Sequence, residues 1–246
     1  MSLSLSLSLS LRTTAQLVPA PSSLLTGLVA WFELDEFSDG SGPVSRYDSV
    51  SGLELTDDDH ASSVDDAVLC VNKTLSAENS IFAVGDIDFT FSAWVYCIGT
   101  GGYKLAASSW EYPSNNAFAI GFGGDTSHWG VRVSSTGSNQ LELSSIEATV
   151  LNTWVLLTMW HDSTGNTLNL QVNDNTPAST STSAGVFTNS GKFWIGGRNS
   201  DGDLWNGRVK KVGLWKNKIL SSEEIAALYG EGTPPAYPFE GILPTE

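Results

Sequence analysis

The side chains able to do chemistry in this chain fall into three groups, and the carboxylates come first. Glu33-Leu34-Asp35-Glu36 is the candidate for a hydrolytic pair. A retaining glycosidase holds two carboxyl groups about 5–5.5 Å apart, one as acid and one as nucleophile. On a strand Glu33 and Asp35 share one face and Glu36 takes the opposite one. The three histidines, His60, His128 and His161, are far apart and have no Cys or Asp at zinc-like spacing. His161 closes the apolar run WVLLTMWH and reads as structural. No nucleophile elbow, phosphate loop or dinucleotide fingerprint is present.

Hard oxygen ligands form the second group. They cluster in TDDDH (56–60), VDD (64–66) and NSDGD (199–203), where a cation would draw on Asp57, Asp58, Asp59, Asn199, Asp201 and Asp203. In the last segment the glycine stands fourth, which is not the order of an EF-hand loop. Solvated turn carboxylates are the favoured reading, so no cofactor is expected, with calcium as the alternative.

The third group is aromatic. Glycan binding needs flat apolar faces beside hydrogen-bonding groups on exposed loops. SSWEYPSNN (108–116) offers Trp110 and Tyr112, GGDTSHW (123–129) offers His128 and Trp129, and GDLWNG (202–207) offers Trp205. Turn positions predict that at least one of these is exposed; the competing reading is that they close the ends of the core.

The elements that would position these residues are almost all strands. The chain has 246 residues, 41% hydrophobic, with 24 Gly and 9 Pro, which suits one large unit of short strands and turns. Strands are predicted at 27–34, 67–71, 80–84, 87–97, 104–110, 117–122, 129–133, 140–144, 154–161, 167–172, 193–196 and 207–215. WVLLTMW is apolar on both faces and predicts a central strand, whereas TLNLQV alternates and predicts one wet face. Ser221 and Glu224 form a capping box for a short helix at 222–229, Leu220 and Ile225 sit at the staple positions, and Gly230 ends it. Cys70 and Cys97 lie in apolar strand contexts and read as buried free thiols, a single disulfide being the alternative.

A formal charge of −15 argues against a nucleic-acid partner, since phosphates need clustered Lys and Arg, and against anionic membrane surfaces. No span approaches the ~20 apolar residues of a membrane helix. Residues 1–11, MSLSLSLSLSL, carry no positive charge before Arg12 and no continuous apolar block, unlike a secretory signal. Extended, the segment would place Leu3, Leu5, Leu7, Leu9 and Leu11 on one face. That face needs cover, so residues 1–23 read as an assembly arm with a Pro linker, 24–230 as the domain, and 231–246 as an extended tail that docks.

Four blocks in order resemble laminin-G-like domains of the concanavalin A-like lectin/glucanase superfamily: LTGLVAWFELDE (25–36) with DSVSG (48–52), DIDFTFSAWVY (86–96), TWVLLTMWHDSTGNTLNLQVND (153–174), and FWIGGRNSDGDLWNGRVKKVGLWKNKILSSEEIAALY (193–229). The resemblance implies an all-β, two-sheet antiparallel jelly-roll sandwich with one short C-terminal helix and extended arms at both ends. Glucanases of the superfamily carry E-x-D-x-E or E-x-D-x-x-E; here Phe37 stands where the shorter form has its second Glu, so no enzyme is expected. Relatives also tend to carry acidic residues in G-x-I-D-E-V. This chain reads Gly207-Arg208-Val209-Lys210-Lys211-Val212, and a lysine there could neutralise Glu33, Asp35 or Asp48 in place of a cation.

The wording WHDSTGNTLNLQVN, with Tyr-Pro-Phe at 237–239, is most similar to versions in bacteriophage structural proteins. This implies a non-enzymatic virion protein, a capsid decoration protein with a lectin-like surface, located on the virion surface. Its partners would be the major capsid protein or other virion proteins, further copies of itself in a homo-oligomer, and a host-surface glycan. A tail-associated adhesin for host polysaccharide is the alternative, and a glycoside hydrolase the remote one.

Overall fold

A computed structural model describes residues 23–78, 80–199, 203–240 and 242. The five arm leucines, Leu3, Leu5, Leu7, Leu9 and Leu11, and Asp201 lie outside the described residues. The strands are β1 (Leu28–Phe32), β2 (Arg46–Tyr47), β3 (Glu54–Leu55), β4 (Val68–Leu69), β5 (Leu75–Ala77), β6 (Phe89–Cys97), β7 (Lys104–Trp110), β8 (Asn116–Phe122), β9 (His128–Val133), β10 (Leu141–Ala148), β11 (Trp154–Asp162), β12 (Thr167–Val172), β13 (Ala178–Ser181), β14 (Phe193–Ile195) and β15 (Gly207–Lys216), followed by the helix α1 (Ser222–Tyr229).

Among the described residues these strands build two large antiparallel sheets and a small hairpin of β2 and β3. One large sheet has seven strands, ordered β1-β15-β6-β11-β12-β13 with β4 also on β15; the other has six, ordered β10-β9-β8-β7-β14-β5. Alternation along the strands sends one row from each sheet into a shared core. Phe91, Phe118, Phe122, Trp129, Val131, Leu157 and Met159 are buried there. Phe82 and Phe193 stack with ring centroids 3.7 Å apart, and Phe32 stacks beside Phe193. This is the all-β jelly-roll sandwich that the sequence predicts.

The seven-stranded sheet is covered on its outer face as well. Trp31, Trp94, Leu156 and Trp215 point outward and meet Leu220, Ile225 and Leu228 of α1 and its lead-in, together with Phe239. Trp31 contacts Phe239 edge-on at 4.9 Å between centroids, and Trp94 stacks on Tyr229 at 5.9 Å. The Trp215 indole N–H donates to the Leu24 carbonyl at 2.7 Å, so the apolar contact leaves no orphan donor. Gly213 makes room for this packing, because a Cβ there would lie 2.7 Å from Trp31 and 2.8 Å from Trp215. The cover explains why WVLLTMW is apolar on both faces.

Helix α1 has the predicted ends. Ser221 Oγ accepts from the Glu224 N–H, the Glu224 carboxylate accepts from the Ser221 N–H at 2.9 Å, and Gly230 takes the left-handed conformation at φ 51°.

Several local expectations are corrected. Residues 80–82 form a turn instead of a strand, because Phe82 is buried by ring stacking and not through a ladder. β2, β3, β5 and β13 are two to four residues long, too short to show a period. The supposedly wet face of β12 is shut: Asn169 and Gln171 are 8% and 6% exposed. Gln171 shares a recess with Leu220 and Ile225, so the helix reaches across β12. Finally, β1 stops at Phe32 and Leu34 has φ 61°, so strand alternation does not continue through Glu33–Glu36. Among the described residues no helix is long and apolar enough to cross a membrane.

Candidate functional site

Among the described residues no helix covers the outer face of the six-stranded sheet, and its middle strands carry a polar and aromatic depression. On β9, Trp129, Val131 and Val133 point into the core, which sends Arg132 outward. Arg132 pairs across the ladder with Ala119 of β8 and Glu142 of β10. The small Ala119 leaves its long side chain room to lie along the sheet, and Arg132 is 3% exposed.

Its guanidinium is held from several directions. It donates to the Phe122 carbonyl at 3.1 Å and lies 3.5 Å from Glu142 and 3.7 Å from Asp203. Asp203 also accepts from Arg198 at 2.9 Å. Burial draws the Arg132 pKa below its ordinary value, and Glu142 and Asp203 oppose that shift. The group stays cationic, as a guanidinium does in any protein setting.

The two arginines support two tyrosines. The Arg132 guanidinium lies 3.8 Å from the Tyr103 ring centroid and that of Arg198 lies 5.0 Å from the Tyr112 centroid. With Trp110, Gln140 and Asp203 these four side chains line a depression of about 150 Å³. Tyr112 is 63% exposed, while Trp110, packed with Leu105 and Ala119, is 3% exposed and lies deep in the wall.

Of the aromatics singled out in the sequence, the structure brings Trp110 and Tyr112 to one site. Trp129 and Trp205 are corrected: both are buried in the core, stacked on Phe122 at 5.0 and 5.3 Å, because they take inward positions of the sandwich. His128 begins β9, pairs with Asp125 at 2.7 Å and does not line the depression. Tyr103, Arg132, Gln140, Glu142 and Arg198 escaped the sequence reading. The alternation in WGVRV was the available signal for Arg132, since an arginine between two core valines must face outward.

Asp57, Asp59 and Asp203 of the acidic segments are engaged by the protein itself. Buried Asp57 accepts from Arg46 at 2.7 Å and from the Ala61 N–H at 2.8 Å. Asp59 accepts from the Thr74 N–H and hydroxyl, Asp58 is exposed, and Asp203 belongs to the arginine cluster. Asn199 donates to the Tyr112 carbonyl at 3.3 Å. Among the described residues no three His, Cys, Asp or Glu side chains converge as a metal site.

Glu33 accepts from the Trp31 indole at 2.8 Å and from the Tyr237 N–H at 2.9 Å, and its other oxygen pairs with Lys211. Lys211 sits in the bulge of β15 at φ 49°, which turns its ammonium toward Glu33. Burial raises the pKa of Glu36, with the Arg46 charge opposing and the Asp35 charge adding to the rise. His161 is buried, with Nε2 2.9 Å from Asp86 and Nδ1 3.2 Å from the Thr167 carbonyl. Cys70 and Cys97 are free and buried; desolvation pushes their thiols up to about 12 and about 11.

Comparison with known proteins places the architecture. The binding domain of Paraclostridial Mosquitocidal Protein 1 superposes with a TM-score of 0.57 at 14% identity, over 84% of this chain and 52% of that one. Trypanosoma rangeli sialidase in complex with the inhibitor DANA gives 0.60 at 15% identity, over 83% of this chain and 33% of that one. A botulinum neurotoxin type C structure, described by its dependence on two ganglioside molecules for cell entry, gives 0.57 at 9% identity, over 83% and 51%. The chain thus spans about half or less of these proteins, and at such identities the likeness concerns the fold. No curated protein sequence matches the chain. A family model, however, matches residues 70–226, well over half of the 246, and by that match the chain belongs to the concanavalin A-like lectin/glucanases superfamily.

Proposed function

We propose that this domain is a non-catalytic, lectin-like module that binds glycan on the outer face of its six-stranded sheet. The observation that carries the reading is the depression of Tyr103, Trp110 and Tyr112 backed by Arg132 and Arg198. Sugar rings present a C–H face that packs on an aromatic ring and hydroxyls that need fixed polar partners, and this site has both. The two toxin structures and the sialidase support the reading through shared architecture alone. Catalysis is disfavoured because Glu33, the first carboxylate of the candidate pair, is already held by an indole, a backbone N–H and an ammonium.

Printed arrays of defined glycans probed with the full chain and with Tyr112→Ala test this. Binding by the first and its loss in the second is expected; array binding unchanged by the substitution would move the site elsewhere. Glu33→Gln should leave β-glucan turnover at zero in both proteins, and cleavage that disappears in the variant would restore the hydrolase.

A second reading concerns where the module works. The Ser-Leu repeat of residues 1–11 would present five leucines on one face if extended. With the resemblance of WHDSTGNTLNLQVN to segments of bacteriophage structural proteins, it favours a capsid decoration protein on the virion surface, joined through this arm to the major capsid protein or to further copies of itself. A tail-associated adhesin uses the same glycan face at lower copy number. Deleting residues 1–16 should leave a folded domain that no longer joins the particle. Hundreds of copies per particle fit decoration, and a few to a few dozen fit a tail fibre.

A further inference from the structure

The aromatic depression has a neighbour that shares one of its lining residues. Gln140 lines it and also lines a second recess, of about 250 Å³, between Leu141 at the start of β10 and the segment 181–185. β10 and β13 are edge strands of the two sheets, so this recess lies where one side of the sandwich closes. Neither hollow alone reaches the ~300 Å³ at the lower end of ordinary ligand sites. Joined at Gln140, they exceed it.

Their chemistry differs in a way that specifies the ligand. The second recess has no charged lining residue; Ser135, Asn139, Ser181, Thr182 and Ser183 give it hydroxyls and amides. The Asn139 oxygen is fully engaged, accepting from the Ser134 and Thr136 hydroxyls and from two backbone N–H groups, and one N–H of its amide donates to Ser135. Gln140, Ser181 and Ser183 are exposed, and among the described residues their side chains have no hydrogen-bond partner. They are free donors and acceptors along one path. In the first depression the charges of the two guanidiniums are offset by Asp203 and Glu142, which leaves no net positive charge to draw a ligand carboxylate. The net charge of −15 repels polyanions further.

Building on the proposed glycan-binding face, we infer that its ligand is an uncharged oligosaccharide several units long, gripped along its chain. One unit stacks against Tyr103 and Tyr112, and the following units pass Gln140 and lie in the hydroxyl-lined recess. Neutral chain interiors are therefore preferred over sialylated chain ends.

Calorimetry of the full chain provides the test, with cello-, malto-, manno- and N-acetylglucosamine oligomers from disaccharide to octasaccharide, and with 3′-sialyllactose. One neutral series should tighten at least about tenfold between disaccharide and hexasaccharide, the equivalent of ~1.4 kcal/mol. Ser183→Trp, which fills the recess from an exposed position, should remove that gain. Gln140→Ala should reduce the gain without adding bulk, and Tyr112→Ala should weaken every length. Affinity that does not change with length, or a preference for sialyllactose over every neutral series, overturns this inference and leaves the binding face standing. Failure of every probe to bind overturns both.

Discussion

The two outer faces of the sandwich carry the same residue types toward opposite ends. On the seven-stranded sheet Trp31, Trp94 and Trp215 are sealed by α1 and by Phe239, with a buried carbonyl for the Trp215 N–H. On the six-stranded sheet Tyr103 and Tyr112 remain open to solvent, with arginines against their rings and carboxylates against the arginines. An aromatic residue serves stability where the chain supplies its own cover, and is left accessible to a ligand where that cover is withheld. Aromatic content alone does not distinguish the two cases; the presence of a covering element does.

The comparison breaks most visibly on the covered face. Trp215→Ala and Phe239→Ala should each cost about 3–5 kcal/mol of unfolding free energy, as large-to-small changes in a packed site do. Denaturant titration measures this, and a cost below about 1 kcal/mol for Phe239→Ala would mean that the tail only rests on the sheet. Arg132→Ala comes next. It strips two carboxylates of a shared partner and should cost about 1–3 kcal/mol in the same titration. Tyr112→Ala should shift stability by no more than about 0.5 kcal/mol, since the ring is mostly exposed, while abolishing array binding. The smallest effect concerns metal. With Lys211 on Glu33, chelator and millimolar calcium should leave the melting temperature unchanged. Specific calcium binding at a hundredfold excess over Kd would raise it by roughly 5–11 °C.

Much of the fold was legible because its signals are local. The capping box at Ser221, the stop at Gly230 and the double-faced run at 154–160 need only neighbours in sequence to be read. The site was legible only in part. Tyr112 sits in a loop and announces itself, whereas Trp129 and Trp205 sit beside turns yet fill inward positions, and loop context misled there. Arg132, Tyr103 and Arg198 come from three separate segments that meet only after β14 pairs with β7, and β7, β8 and β9 pair in register. Such a constellation exists at the level of sheet topology. Gln171 failed for the same reason, since the recess it lines is walled in part by Leu220 and Ile225, about fifty residues later.

The division between a sealed face and a receptive face is tested most directly by hydrogen–deuterium exchange of the full chain, with and without a saturating neutral oligosaccharide chosen from the length series. Protection should rise in peptides covering 103–112, 132–140 and 181–199, and should stay unchanged in those covering 215–229 and 236–240. Protection confined to α1 and the C-terminal segment, or none anywhere at saturation, would contradict the account.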